Sequence, residues 1–266
     1  MTISSDPFAQ RFAQLSARQR SALVVYVTAG HPDLSGSLEL LRGVAEAGAD
    51  VVEVGVPFSD PLADGPVIQA SSQRALEGGM TFDRTLELIA RAELRVPVVL
   101  FTYLNPLLAA GKNALGRAAS AGANGVLVTD LPLGADPPLE ERIANGPLAF
   151  VRLVAPTTPS HRMAEIARHG SGFVYLISRM GVTGLRSEIS PELPGTVARL
   201  RAATELPICV GFGISTPAQA AVVARLADGV VVGSAVVRAA DSSVDEAVEL
   251  VRTLRTAIDE ARQPGG

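Results

Sequence analysis

The stretch DVVEVGVPFSDPLADGP, residues 50–66, sets Glu53 among valines and then places Asp60 and Asp64 in a loop of prolines and glycine. Alternation along a strand puts Val52, Val54 and Val56 on one face and Val51 and Glu53 on the other. If the strand belongs to a barrel, the first set meets the helices and Glu53 looks into the barrel mouth. Burial disfavours a charged carboxylate and raises its pKa, which suits a group that gives and takes a proton near neutral pH. The competing reading is a glutamate satisfied by a buried partner. Pro57, Pro61, Pro66 and Gly65 stiffen the following loop and turn it sharply. Asp60 and Asp64 each fit an ordinary Asx turn, but the nearness of Glu53 favours chemistry for one of them.

A second constellation lies near the end of the chain. VGFGIS carries Gly211 and Gly213, and VVVGSAVV carries Gly233 and Ser234. Glycine lets a backbone approach a ligand closely, its amides donate to phosphate oxygens, and the dipole of a following helix favours the anion. Ser234 adds a hydroxyl, AVVRAAD can supply a short helix, and Gly184 in GVTGLR can lend a further amide. Barrels often hold phosphate in the loops after their seventh and eighth strands. Tight turns alone are the plainer alternative.

Both constellations need a frame, and the apolar pattern supplies one. Eight short Val/Ile/Leu-rich runs recur: ALVVYVTAG, DVVEVG, VPVVLFTY, NGVLVTD, LAFVRLV, GFVYLIS, PICVGFG and DGVVVGS. Most are continuously apolar, as parallel strands covered on both faces are. Between them lie segments of helical period such as SLELLRGVAEAG, FDRTLELIARAEL, HRMAEIARHG and PAQAAVVARLA, several ending at glycine. SVDEAVELVRTLRTAIDEAR closes the chain as a helix, and DPFAQRFAQLSARQ predicts an extra helix before the first strand. Strand and helix alternate without a linker, so residues 1–266 read as one domain. Eight such units predict an α/β fold of the (β/α)8 type. A doubly wound open sheet ranks second, because no G-x-G-x-x-G follows the first strand. Two long loops, from Pro57 to about Met80 and SRMGVTGLRSEISPELPG after the sixth run, fall on the C-terminal side, where barrel enzymes build their sites.

Composition narrows the partners. With 47% hydrophobic and 19% charged residues, a large core forms readily and disorder is disfavoured. A net charge of −4 with no basic block argues against nucleic acid and fits a cytoplasmic protein with a small-molecule substrate. One cysteine, Cys209, excludes an internal disulfide framework and reads as a buried hydrophobe. His31, His161 and His169 lack metal-ligand spacing, so no metal is expected. The start has no signal-peptide pattern, and no apolar run reaches membrane-spanning length.

Taken together, VEVGVPFSDPLADGPVIQ, YLISRMGVTG, VGFGIS, VVGSAVV and FTYLNPL resemble, in order and spacing, the tryptophan synthase alpha subunit family. The resemblance covers nearly the whole chain, including the N-terminal helix. It implies a lyase of tryptophan biosynthesis that cleaves indole-3-glycerol phosphate, in a retro-aldol sense, to indole and glyceraldehyde 3-phosphate. Glu53 then matches the catalytic acid/base, which protonates C3 of the indole ring and accepts the proton of the adjacent side-chain hydroxyl. Asp64 matches the second carboxylate, set against the indole N–H, where positive charge develops. Gly184, Gly213, Gly233 and Ser234 align with the phosphate site. Tyr175, Tyr103 and Leu100 align with the indole pocket. Thr183 aligns with a closing loop, in which it hydrogen-bonds Asp64. Pro57 and Asp60 align with the part of the loop that faces the β subunit. The resemblance also implies an αββα heterotetramer in which indole passes through a tunnel to a pyridoxal-phosphate enzyme. That cofactor belongs to the partner, and none is expected in this chain. Tyr26 and Thr129 depart from the best-known members, which carry phenylalanine and alanine, and each adds a hydroxyl to the pocket region.

Two rival readings remain. Another sugar-phosphate barrel enzyme would need a differently placed acid/base set, often with a strand-end lysine or histidine, yet the only lysine, Lys112, falls in a helical segment. A purely regulatory partner would have no use for an intact Glu53 and Asp64.

Overall fold

The computed structural model describes residues 6–178, 190–211 and 213–262. Its sheet has nine strands: β1 (Ala22–Thr28), β2 (Val51–Gly55), β3 (Val98–Thr102), β4 (Gly125–Val128), β5 (Ala149–Phe150), β6 (Arg152–Val154), β7 (Val174–Ile177), β8 (Ile208–Gly211) and β9 (Gly229–Val232). Their order is β5-β4-β3-β2-β1-β9-β8-β7-β6, and every pairing is parallel. The two outermost strands, β5 and β6, are halves of the single run LAFVRLV parted at Val151. The Val151 N–H reaches back to the Val126 carbonyl at 2.9 Å, while β6 pairs forward with β7. The sheet's two ends therefore meet in one piece of chain, and the eight apolar runs make a nearly closed barrel.

Twelve helices accompany it among the described residues: α1 (Pro7–Ala17), α2 (Leu34–Glu46), α3 (Pro66–Glu77), α4 (Phe82–Ala92), α5 (Leu104–Ala109), α6 (Ala114–Ser120), α7 (Pro137–Ala144), α8 (Ser160–Arg168), α9 (Leu193–Arg201), α10 (Pro217–Leu226), α11 (Ser234–Ser242) and α12 (Val244–Glu260). Their starts follow capping chemistry. Asp33 and Thr81 accept from the N–H groups of Gly36 and Arg84, and Thr216 with Gln219 forms a reciprocal capping box. The expected long loop after the second run is corrected here. Half of it is α3, because Gly65 precedes Pro66, which is preset for the first helical position. The irregular parts shrink to residues 56–65 and a short turn at 78–81.

Period-2 alternation divides the core into two. Leu23, Val25, Val27, Val52 and Val54 face the helices, while Val24, Tyr26, Val51, Val99, Phe101, Leu127, Tyr175, Cys209 and Val231 fill the interior. The extra N-terminal helix closes the barrel floor. Phe8 and Phe12 bring their rings to 5.8 and 6.0 Å from Phe173, and all three are buried. Gly125 leaves room for this plug, since a Cβ there would stand 3.0 Å from the Phe8 ring. Each aromatic ring buried this way contributes on the order of 2–3 kcal/mol by area.

The floor also carries an ion network. Arg255 reaches Asp50 at 2.8 Å and Asp259 at 2.6 Å, and Arg20 meets Asp259 at 2.8 Å. Asp50 accepts the Leu23 N–H at 2.9 Å as well, so its charge is compensated at the very start of β2.

Candidate active site

Three residues beyond Asp50 on the same strand, Glu53 is treated differently. It is 1% exposed, and its Oε1 has no hydrogen-bond partner. Burial alone pushes its carboxyl up to about 8. The expected raised acid is therefore present, paired in register with Tyr26 of β1 and Val99 of β3, while Phe101 lies two residues further along β3 opposite Gly55 and Tyr175 lines the interior from β7. Two glycines make room for the tyrosines. A Cβ on Gly55 would fall 2.1 Å from the Tyr26 hydroxyl, and one on Gly211 would fall 2.2 Å from the Tyr175 hydroxyl. The two phenols thus lie across bare backbone.

The loop 56–65 separates its two aspartates. Asp64 is buried at 9% exposure, whereas Asp60 is exposed. The turn is held by main-chain bonds, Leu62 N–H to Asp60 O and Asp64 N–H to Pro61 O, both 3.0 Å. Burial raises Asp64 to about 6, against a hydrogen bond from Tyr103 that pulls it down. Tyr103 is anchored in turn: its hydroxyl accepts the Ala63 N–H at 2.9 Å, it hydrogen-bonds Thr129, and its ring lies 5.2 Å from Phe58. Tyr103 therefore ties the end of β3 to the Asp64 loop. Tyr26 lies under Thr28, whose Oγ1 donates to its hydroxyl at 3.4 Å, and Thr28 shares a 2.7 Å bond with Ser71 of α3. Pro57 is buried at the loop's root, and Leu62 at its tip is 82% exposed.

Leu100 requires a correction. It sits with Val98 in the helix-facing core, and Phe101 occupies the interior, edge-on to Tyr26 with centroids 5.2 Å apart. Parity along β3 was the missed signal: Val99, Phe101 and Tyr103 share one face, and Leu100 belongs to the other.

At the far side of the mouth, β8 and β9 are neighbours in the sheet and end in the two glycine turns. Gly213 has φ of +83°, and no atom lies within 4 Å of where its Cβ would stand. Gly233 caps α11 without a side-chain bond, so the first amides of that helix point outward beside exposed Ser234. Gly233 also backs onto the Tyr26 ring. Thr183 and Gly184 lie outside the described residues. Among the described residues no group of three or more His, Cys, Asp or Glu could hold a metal, and no helix is long and apolar enough to cross a membrane.

A parallel barrel with one carboxyl strongly raised by burial, a second raised less, and a glycine-capped helix N-terminus around its C-terminal mouth has the make-up of an acid/base enzyme for a small anionic substrate. Comparison with known proteins gives that class a family. The sequence model of the family described as "Tryptophan synthase alpha chain" matches residues 12–263. The tryptophan synthase alpha chain of Desulfatibacillum aliphaticivorans is 46% identical over 252 residues, covering 94% of this chain and 93% of that one. That of Gluconacetobacter diazotrophicus is 48% identical, covering 89% and 88%. Among solved structures, Mycobacterium tuberculosis tryptophan synthase superposes with a TM-score of 0.87 at 35% identity, covering 94% of this chain and 97% of that one. Tryptophan synthase subunit alpha of Legionella pneumophila superposes at 0.87 with 33% identity, covering 97% and 100%. The chain belongs to the tryptophan synthase alpha chain family. It is a lyase that cleaves indole-3-glycerol phosphate in tryptophan biosynthesis.

Proposed function

We propose that Glu53 and Asp64 are the two groups through which this chain performs the cleavage. Glu53, protonated below about 8, gives its proton to C3 of the indole ring. The ring becomes an iminium, and Asp64, ionised above about 6, faces the N–H where the positive charge gathers. The hydroxyl on the adjacent side-chain carbon then loses its proton to the Glu53 carboxylate. The carbon–carbon bond breaks, its electron pair neutralises the ring, and the hydroxyl carbon leaves as the aldehyde of glyceraldehyde 3-phosphate. Glu53 ends protonated, ready for the next turnover. The observation that carries this reading is the unpartnered Glu53 Oε1 inside the barrel mouth. A purely structural glutamate would have its hydrogen bonds made.

The remaining assignments follow from position. Amides at Gly213, Gly233 and Ser234 take the phosphate, with Gly184 contributing by resemblance. Tyr26, Phe101, Tyr103 and Tyr175 wall the indole ring, and Thr183 is assigned to Asp64 by resemblance alone. Pro57 and Asp60, with the protruding Leu62, face a β partner in an α2β2 assembly. Pyridoxal phosphate belongs to that partner, and the reaction runs in the cytoplasm. The test is release of indole from indole-3-glycerol phosphate, measured with and without a β subunit. Release in both, faster with the partner, is expected. No release in either overturns the proposal.

A further inference from the structure

His31 lies just beyond β1 and is 1% exposed, yet the chemistry above does not use it. Its Nε2 stands 3.2 Å from the Val237 carbonyl and 3.3 Å from Asp241 Oδ1, both on α11. Its Nδ1 is buried with no partner. A neutral imidazole has one N–H, and on Nε2 that hydrogen serves both acceptors, whereas on Nδ1 it would serve none. The tautomer is therefore fixed, and the ring is a one-sided grip on α11. Asp241 carries a second tie, from Arg74 of α3 at 2.6 Å. The Val237 N–H closes the first turn of α11 onto the Gly233 carbonyl at 3.0 Å, so a hold on Val237 is a hold on the turn that presents Gly233 and Ser234. Arg74 sits on the helix that begins at Pro66, directly after Asp64 and Gly65. The loop bearing His31 cannot slide, because Gly30 at φ +81° packs where a Cβ would strike Met80 at 2.2 Å, and its N–H donates to Ser37 Oγ at 3.0 Å.

We propose that His31 is a positioning residue which, through Val237 and the shared Asp241–Arg74 pair, sets the distance between the phosphate end of the site and its Asp64 end. This rests on the reading that Gly233 and Ser234 take the phosphate. It predicts a lesion that is selective for phosphate. In the full chain, inhibition of indole-3-glycerol phosphate cleavage by inorganic phosphate and binding of indole are measured separately. His31→Ala raises the inhibition constant for inorganic phosphate about fivefold, the effect of one lost hydrogen bond, and leaves indole affinity unchanged. His31→Gln, whose amide N–H reaches a similar point, recovers most of the loss. Asp241→Ala reproduces the lesion and carries the test if His31→Ala does not fold. Ser234→Ala serves as the control and raises the same constant. If Ser234→Ala raises it and the His31 variants do not, the clamp is wrong while the phosphate reading stands. Equal weakening of phosphate and indole without rescue by glutamine reduces His31 to a structural role and also overturns the clamp. If Ser234→Ala has no effect, the phosphate reading falls, and the clamp falls with it.

Discussion

Asp50 immediately precedes β2 and Glu53 sits at its centre, one nearer the floor and one nearer the mouth, and both are buried. At the floor, Asp50 meets Arg255 and the Leu23 amide. Burial still raises its carboxyl, but those two partners and Arg11 oppose the rise. At the mouth, nothing opposes burial, and Glu53 rises much further. The difference teaches how to tell a structural carboxylate from a chemical one. Burial is common to both, and what separates them is whether the charge is answered.

The comparison breaks most easily at Glu53. Glu53→Gln keeps the shape and removes the proton, so cleavage falls about a thousandfold or more. Stability moves the other way. The folded value of about 8 lies above the ordinary 4.5, so between those pH values the folded chain holds a proton that the unfolded chain has released. Stability from this group is complete below 4.5 and is lost as pH rises through 8. Glutamine cannot ionise, so the variant is more stable than the parent at pH 8 by about 4 kcal/mol in denaturant titration. A variant that retains activity, or is less stable at pH 8, removes the contrast.

Asp50→Asn is the mirror experiment. It removes one of the two carboxylates that answer buried Arg255, leaving only Asp259, and costs about 2 kcal/mol in the same titration. The rate of indole release from the folded fraction changes less than twofold, there being no contact with the mouth. Loss of turnover in the folded fraction would show that floor and mouth are not separable.

The smallest effect sharpens the mouth itself. Activity needs Asp64 ionised and Glu53 protonated, so kcat/KM follows a bell with limbs near about 6 and about 8. The Tyr103 hydroxyl lowers Asp64, and Tyr103→Phe therefore moves the acid limb to higher pH by about one unit or less. At pH 6 the variant loses about fivefold and at pH 8 almost nothing. An acid limb that stays in place removes Tyr103 from the control of Asp64.

The alternation of strand and helix, the N-terminal plug helix and the inward face of Glu53 could all be read directly from residue types, because period and polarity are local properties. The separation of Asp60 from Asp64 needed the loop's path, and only the fold buries one and exposes the other. Leu100 lies on the face opposite the one its motif implies, whereas Phe101 is legible as interior from strand parity alone. α3 was hidden by its polar middle, QASSQ, which interrupts any apolar stripe. The role of His31 had no sequence signal at all, since Val237 and Asp241 lie some two hundred residues away and only barrel closure brings them near.

The plug at the barrel floor has a consequence for traffic. With Phe8 and Phe12 seated against Phe173, the barrel is a cup and not a pipe. Everything that enters must leave by the same rim, so indole and the triose phosphate share one doorway. Any conduit toward another protein has to be joined at that rim, and whatever covers the rim governs arrivals and departures together.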